Sequence, residues 1–205
     1  ANLNLPGGGI LLDDRDTGYR IYRLDPPLAP GDSIVLGLDL TIGARGFRNN
    51  DPNLTIVRNG TFFINTDYIP IIGYSREKEL QDPSRRKKYG LPESDRLPPM
   101  DDPRGLRETF TSDADRIRFD AVVSTSADQI AIAPGYLERE WMENGRRCFH
   151  YRTDRPILSL YCFLSGRYEV ARDEWNGMPV EVYYHKPHYR NVPRMIEGLK
   201  NSLDY

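Results

Sequence analysis

The chain has 205 residues, with 28 Lys and Arg against 30 Asp and Glu and a formal net charge of −2 at pH 7. This length is sufficient for a substantial hydrophobic core, and the charge balance gives no electrostatic reason to expect nucleic acid or an anionic membrane as a partner. No apolar run approaches the roughly 20 residues of a membrane span. The N-terminal stretch ANLNLPGGGI lacks the basic and apolar regions of a signal peptide. The sequence therefore predicts a soluble chain.

The first third of the chain has the pattern of β-structure. YRIYRL (19–24) and SIVLGLDLTIG (33–43) alternate as half-buried strands do, and DPPLAPGDS (25–33) between them supplies turn residues. Further on, LTIVR and TFFIN are separated by Asn59-Gly60. That pair is preferred in two-residue hairpin turns, so we expect a hairpin there.

A polar segment with one short helix interrupts the strands. Asp82 suits an N-cap, Pro83 suits the first helical position, and Gly90 lies just beyond the expected end. The basic run RRKK (85–88) could bind an anion. We interpret it instead as a solvated helix C-terminus, where cations complement the helix dipole. The Pro-rich residues 91–105 that follow are predicted to form a surface connection.

Strand patterns resume after this connection and continue almost to the end of the chain. Asn144-Gly145 and Asn176-Gly177 mark further tight turns, and ILSLYCFL (157–164), apolar on both faces, predicts a central strand. The predicted fold class is mainly β, an antiparallel saddle-shaped sheet or β-sandwich with one short inserted helix and a C-terminal helix. The runs that carry this prediction are DRIRFDAVVST, DQIAIAP, YLEREWM, RRCFHYR, PILSLYCFLSGRYEVA and PVEVYYH.

The last segment predicts an amphipathic helix that begins at Asn191, with Pro193 in its first turn. An apolar stripe runs along one side of this helix at helical spacing. We expect the chain to be one domain of a larger protein, with residues 1–190 forming a β-domain and residues 191–205 beginning the next domain. The stripe consists of Val192, Met195, Ile196, Leu199 and Leu203.

The sequence contains three histidines, so a metal site can be considered residue by residue. His185 and His188 lie in HKPHY, where the spacing is one residue short of H-E-x-x-H and Pro187 prevents a helix. We interpret both as surface histidines. His150 alternates with Phe149 and Tyr151 in a strand pattern, which places it on the more polar face.

Other residues that could carry chemistry also have a structural interpretation. Cys148 and Cys162 could form a cross-strand bridge, but two free buried thiols are favoured, because an apolar run surrounds Cys162. The acidic pairs Asp13-Asp14 and Asp101-Asp102 lie in predicted loops, where solvated charge is the default. PGGGI lacks the Lys-Ser/Thr of a phosphate loop. We assign no catalytic, cofactor-binding or metal-binding residue to this chain.

Residues 124–205 nevertheless resemble the second half of the N-terminal β-domain of zinc aminopeptidases related to aminopeptidase N and leukotriene hydrolase. In that family, a run P-I-(S/T)-x-Y-x-x-(A/S)-x-x-x-G-x-(Y/F)-E precedes a strand G-x-P-V-x-V-Y. PILSLYCFLSGRYE and NGMPVEVYY stand in those places here, and MIEGLKNSLDY resembles the first turns of the helix that opens the thermolysin-like catalytic domain. The earlier P-C-x-D-E-P segment is absent, and DYIPIIGYSREKEL occupies that region, so no substrate-anchoring residue is carried over.

The resemblance implies a noncatalytic domain that walls one side of the substrate cleft and braces the catalytic domain. The parent enzyme would use zinc held by H-E-x-x-H and a distant Glu to activate water against a peptide. None of those residues is in this chain, so zinc is expected in the catalytic domain and the peptide substrate in the full-length protein. The expected partner of the helix is that following domain of the same polypeptide. The segments NGTFF, IPIIGY and KKYGLP resemble a bacterial subgroup joined to membrane-spanning, transporter-like segments.

Two other functions are compatible with the sequence. One is an independent β-sandwich module that binds a ligand or acts as a scaffold, and the other is a small hydrolase, which the lack of a catalytic constellation disfavours. The environment of the last helix distinguishes the independent module from the peptidase-like domain. A stripe facing solvent would indicate a missing partner surface, and a stripe buried on the chain's own strands would favour the independent module.

Overall fold

The alternating patterns of the sequence form antiparallel strands throughout the computed structural model, which is mainly β. The structure divides into two compact units, Ala1–Asn49 and Asn50–Tyr205. It describes residues 2–43, 55–57, 59–73, 79–93, 99, 101–103 and 116–205.

In the first unit, two pairs of antiparallel strands form. β1 (Asn2–Asn4) pairs with β4 (Gly37–Asp39), and β2 (Gly8–Asp14) forms a hairpin with β3 (Tyr19–Leu24). The strand predicted at YRIYRL is therefore confirmed. The Asp14 carboxylate closes the hairpin turn, because it accepts hydrogen bonds from the Thr17 hydroxyl and from backbone N–H groups within the turn. These bonds hold the pKa of Asp14 below its usual range.

The prediction of one long strand over 33–43 is wrong in its extent. Only Gly37–Asp39 is a strand, since its partner β1 is three residues long and ends the ladder. Val35 is 80% exposed, although alternation alone would place it in a strand. Alternation describes which side chains share a face, and it contains no information about how long the partner strand is.

The described residues of the second unit form two larger sheets and two strand pairs. One sheet has the order β5-β6-β13-β9, formed by Ile56–Val57, Gly60–Ile64, Cys162–Gly166 and Ile130–Ile132. The other has the order β10-β11-β8, formed by Tyr136–Glu143, Arg146–Arg152 and Asp120–Ser126. The pairs are β7 with β12, Arg116–Ile117 with Ile157–Leu158, and β14 with β15, Glu169–Trp175 with Met178–Tyr184.

The hydrophobic core of this unit lies between the inner faces of the two larger sheets. Phe149 of β11 is 1% exposed and Ala131 of β9 is fully buried. Aromatic rings extend the core, with the Phe119 and Tyr161 centroids 4.9 Å apart in an edge-on arrangement. The sandwich architecture thus follows from strands that each bury one face.

Two of the three predicted Asn-Gly turns are confirmed. Asn144-Gly145 and Asn176-Gly177 have positive φ at both positions and join directly paired strands, as a type I′ turn requires. The hairpin predicted between LTIVR and TFFIN is also confirmed, as β5 and β6, but Gly60 pairs with Val57 and lies in the strand rather than in the turn. A Cβ on Gly60 would lie 2.7 Å from the Ser165 carbonyl oxygen, so a close approach of β13 explains this glycine.

The central strand predicted at ILSLYCFL is interrupted. β12 ends at Leu158 and β13 begins at Cys162, because the connection binds the buried Asn65 of the one-turn helix α1 (Asn65–Tyr68). The Asn65 side chain donates to the Ser159 carbonyl (3.1 Å) and accepts from the Tyr161 N–H (3.0 Å). β13 itself is central, between β6 and β9, as predicted.

The capped helix appears as α2 (Pro83–Lys88), and the Asp82 side chain accepts a hydrogen bond from the Arg85 N–H as predicted. The interpretation of the whole RRKK run as solvated is wrong at Arg86, which is 8% exposed. Its guanidinium donates to the Glu79 carboxylate and to the backbone carbonyls of Leu80 and Pro92. Of the four basic residues of α2, Arg86 therefore connects the helix to the loops on either side of it.

Candidate functional site

The C-terminal helix α3 (Val192–Asp204) follows a 3-10 segment, Lys186–Asn191, and packs on the β14–β15 hairpin. Val192 is buried, and two polar contacts join the far end of the helix to the hairpin. The Lys200 ammonium lies 2.7 Å from the Asp173 carboxylate, and the Trp175 indole N–H donates to the Asp204 carboxylate at 2.8 Å. The helix is therefore fixed to its own unit along one side.

The neighbouring row of the same helix is exposed. Met195 is 50%, Leu199 44% and Leu203 41% exposed, and their four-residue spacing aligns them along one side over about 12 Å. Ile196, predicted to share this side, is half-buried. The predicted stripe is thus divided between a row that packs on the hairpin and a row that does not.

The contact between Asp173 and Lys200 changes an ionisation equilibrium. The hydrogen bond from Lys200, together with one from the Glu174 N–H, holds the pKa of Asp173 below its ordinary 3.8. Because the folded pKa lies below the unfolded one, this pair contributes stability above the unfolded pKa, and the contribution is lost as the pH falls through the folded pKa. Both side chains are partly exposed, so the contribution is small.

Replacing Lys200 with methionine is expected to raise the pKa of Asp173 toward its ordinary value. The Glu174 N–H still donates to the carboxylate, so the return should be incomplete. NMR titration of the side-chain carboxyl carbons measures this shift directly. Lys186→Met is the matched control, since Lys186 lies near Glu169 of the same hairpin and not near Asp173. An unchanged Asp173 pKa in Lys200→Met would show that the helix does not dock through this pair.

The two histidines of HKPHY lie close together at the surface. The prediction that Pro187 prevents a helix there is wrong, because Lys186–Asn191 forms a 3-10 helix with the proline in its first turn, where proline is tolerated. The His185 and His188 ring centroids are 6.4 Å apart, and both residues are exposed. His185 also lies against the Tyr168 ring, with centroids 5.3 Å apart. Within the described ranges, no group of three or more His, Cys, Asp and Glu residues is arranged to hold a metal ion.

Most of the remaining candidate residues have hydrogen-bond partners, and the prediction that Asp13 and Asp14 lie in a loop is wrong, because both belong to β2. His150 lies on the polar face of β11 as predicted, and its Nε2 atom is 2.8 Å from the Asp120 carboxylate. The Asp13 carboxylate accepts two hydrogen bonds from the Arg20 guanidinium of the neighbouring strand. Asp14, in contrast, binds groups of the hairpin turn. Asp101 is exposed and Asp102 half-buried in a surface turn.

Both cysteines are free, as favoured from the sequence. Cys148 is buried in β11 and Cys162 is half-buried in β13. The two strands belong to different sheets.

Sequence reasoning missed a groove in the second unit. It has a volume of about 470 Å³ and lies between β8 and the inner face of the β5-β6-β13-β9 sheet. A groove of this size is in the range of small-ligand and peptide sites. Its lining is brought together by the approach of β8 to the β6–β13 pair of the other sheet, and no local sequence pattern records that approach. The lining includes Thr61, Phe63, Val122, Ser124, Arg146 and Phe163.

Comparisons of the chain with models of protein families, with curated proteins and with solved structures find no match. Among the described residues, no helix is long and apolar enough to cross a membrane.

Proposed function

We propose that this chain is the noncatalytic N-terminal β-domain of a zinc-dependent metallo-aminopeptidase-like protein. In this role it walls one side of the substrate cleft and braces the catalytic domain through α3. The observation that carries the proposal is the exposed apolar row of Met195, Leu199 and Leu203 on a helix that is otherwise fixed in place. Three aligned apolar side chains on one ordered helix are typical of a surface that packs on another domain.

The ordered motifs of the resemblance support the same role. PILSLYCFLSGRYE spans β12 and β13, NGMPVEVYY spans β15 and the turn before it, and MIEGLKNSLDY lies in α3. Zinc would be bound by H-E-x-x-H in the catalytic domain. The three histidines of this chain, His150, His185 and His188, do not have the spacing of the H-E-x-x-H motif.

The second candidate function is an independent β-sandwich module. It is favoured by the packing of Val192, Lys200 and Asp204 against the chain's own hairpin. In an independent module, the row of Met195, Leu199 and Leu203 would remain in contact with solvent.

Replacing Leu199 with serine separates the two functions. In the longer native polypeptide, the substitution is expected to lower the free energy of unfolding by about 2–3 kcal/mol, because a Leu at a domain interface is lost. In the 205-residue chain alone, the expected change is below about 1 kcal/mol, because Leu199 is 44% exposed there. Urea unfolding of both polypeptides measures both values.

Asn201→Ser provides the matched control, as Asn201 is an exposed polar residue of the same helix. Equal losses for Leu199→Ser in the two polypeptides, or no loss in either, would contradict an interface on this row. Activity is a separate criterion. The longer polypeptide should release p-nitroaniline from leucine p-nitroanilide and lose this activity when zinc is chelated. Failure of this assay would remove the peptidase assignment, while the interface would stand or fall on the unfolding data.

A further inference from the structure

The groove follows the free edge of β8 rather than one of its faces. Five successive residues of this strand, Val122–Ser126, line it. Successive side chains of a strand point to opposite faces, so a groove on one face would be lined by every second residue. Within the described part of the chain, β8 pairs with β11 alone, and its other edge has no strand beside it.

The hairpin β10–β11 fixes which backbone groups point toward this free edge. A two-residue turn at Asn144-Gly145 closes on the pair of Glu143 and Arg146, which exchange hydrogen bonds in such a hairpin. The even-numbered residues of β11 therefore bond to β10, and its odd-numbered residues bond to β8. By the observed register, the odd-numbered residues of β8 receive these bonds.

An independent contact gives the same assignment. The Thr153 N–H donates to the Phe119 carbonyl at 3.0 Å, which continues the odd-numbered series by one residue beyond the ladder. The backbone N–H and C=O groups of Val122 and Ser124 therefore point outward, into the groove. The Ser124 carbonyl accepts a hydrogen bond from the Arg146 guanidinium at 2.7 Å. Among the described residues, the outward N–H groups of both residues and the Val122 carbonyl have no hydrogen-bond partner.

The floor and the charge of the groove complement these backbone groups. Phe63 and Phe163 are directly paired across β6 and β13 and give the floor an apolar centre. The lining also contains the hydroxyl-bearing residues Thr61, Ser124, Thr125, Ser126 and Ser165. Among the described residues of the lining, Arg146 is the one that carries a charge, and its guanidinium is positive.

We propose that this groove binds an extended peptide as an additional strand beside β8. The peptide backbone pairs with the outward N–H groups of Val122 and Ser124 and with the Val122 carbonyl. An apolar side chain of the peptide packs on Phe63 and Phe163, and a carboxylate lies near Arg146. Outward groups on alternate residues match the two-residue repeat of a strand, whereas a sugar or nucleotide does not have this repeat. The inference is independent of the proposed role as a peptidase domain.

The experiment uses a fluorescent heptapeptide of alternating threonine and valine residues with one glutamate, titrated into the 205-residue protein. A second peptide carries a methyl group on every backbone nitrogen and is otherwise identical. Binding of the first and not the second is expected, because methylation removes the donors of strand pairing. Equal binding of both peptides, or binding of neither, would overturn the proposal.

Val122→Pro removes one outward N–H that β11 does not use, so we expect the fold to be retained and the peptide Kd to increase about tenfold. Met142→Pro is the matched control, because Met142 lies on the outer edge of β10, is 57% exposed and by the same register has an outward N–H. Its peptide Kd should equal that of the wild type. An unchanged Kd in Val122→Pro would exclude pairing with β8.

Hydrogen exchange of the unaltered protein tests the same edge without a substitution. The amides of Val122 and Ser124 should exchange quickly in the free protein and be protected when the first peptide is bound. Protection in the free protein would show that another segment of the chain already covers this edge, and would overturn the proposal.

The role of Arg146 is tested with a third peptide in which glutamine replaces the glutamate. The wild type should prefer the glutamate peptide by about threefold, and Arg146→Met should lose this preference. An equal preference in both proteins would exclude a carboxylate at Arg146.

Discussion

Replacing Phe149 with alanine is expected to lower the free energy of unfolding by about 3–5 kcal/mol, the range for a large aromatic residue removed from a core. Phe149 is 1% exposed and packs between the two larger sheets of the second unit. Its ring lies beside that of Tyr151, with centroids 6.5 Å apart, so the substitution also removes an aromatic contact. Such a loss is a large part of the stability of a domain of this size.

Guanidinium-induced unfolding, followed by circular dichroism, measures the change. Phe62→Ala is the matched control, because Phe62 is 52% exposed and lies on the other face of its sheet, across from Leu164. Its expected loss is below about 1 kcal/mol. Similar losses for the two variants would show that the core does not lie between the sheets as described.

The hairpins and the capped helix could be predicted from sequence because their determinants are local. Asn144-Gly145 and Asn176-Gly177 require positive φ at adjacent positions, and Asp82 caps the helix from three residues away. Turn and cap residues lie within four residues of the element that they define, so the local sequence is enough to recognise them. The periodicity of YRIYRL similarly located a strand that forms a hairpin with its neighbour.

The interruption at residues 159–161 could not be predicted, because its cause lies far along the chain. Asn65 binds this connection across a separation of 94 residues to Ser159 and 96 to Tyr161. The burial of Arg86 has a nearer cause, since its carbonyl partners Leu80 and Pro92 each lie six residues away, in the loops on either side of α2. Which side chain binds the backbone groups of an interrupted strand depends on the tertiary fold and not on the neighbouring sequence.

The candidate sites differ in the same way. The apolar stripe of α3 was visible as a pattern, but the sequence could not say that Ile196 would turn toward the hairpin while Leu199 would not. The groove at β8 had no sequence pattern, because its lining comes from strands of two different sheets that are far apart along the chain. Val122 is 61% exposed because its side chain lies on the outer face of its sheet with the other even-numbered residues of β8, although a β-branched side chain suits a sheet interior.

Replacing Gly135 with alanine is expected to lower the free energy of unfolding by about 3 kcal/mol or more, from backbone strain and from overpacking together. Gly135 has φ of +99°, a conformation that residues with a side chain rarely adopt. A Cβ at this position would overlap the Arg152 carbonyl oxygen and lie 2.8 Å from the Thr153 backbone nitrogen. Both obstacles are backbone atoms, so no side chain can move to relieve the contact.

Gly145→Ala separates the two causes. Gly145 also has positive φ, +73°, but a Cβ there would meet nothing within 4 Å. Only the conformational strain applies at that position, and the expected loss is about 1 kcal/mol. Thermal and urea unfolding of both variants gives the difference, which measures the cost of displacing the end of β11 at Arg152. If the two variants lost the same free energy, conformational strain alone would explain Gly135, and the close approach of the β9–β10 connection to β11 would not determine this residue.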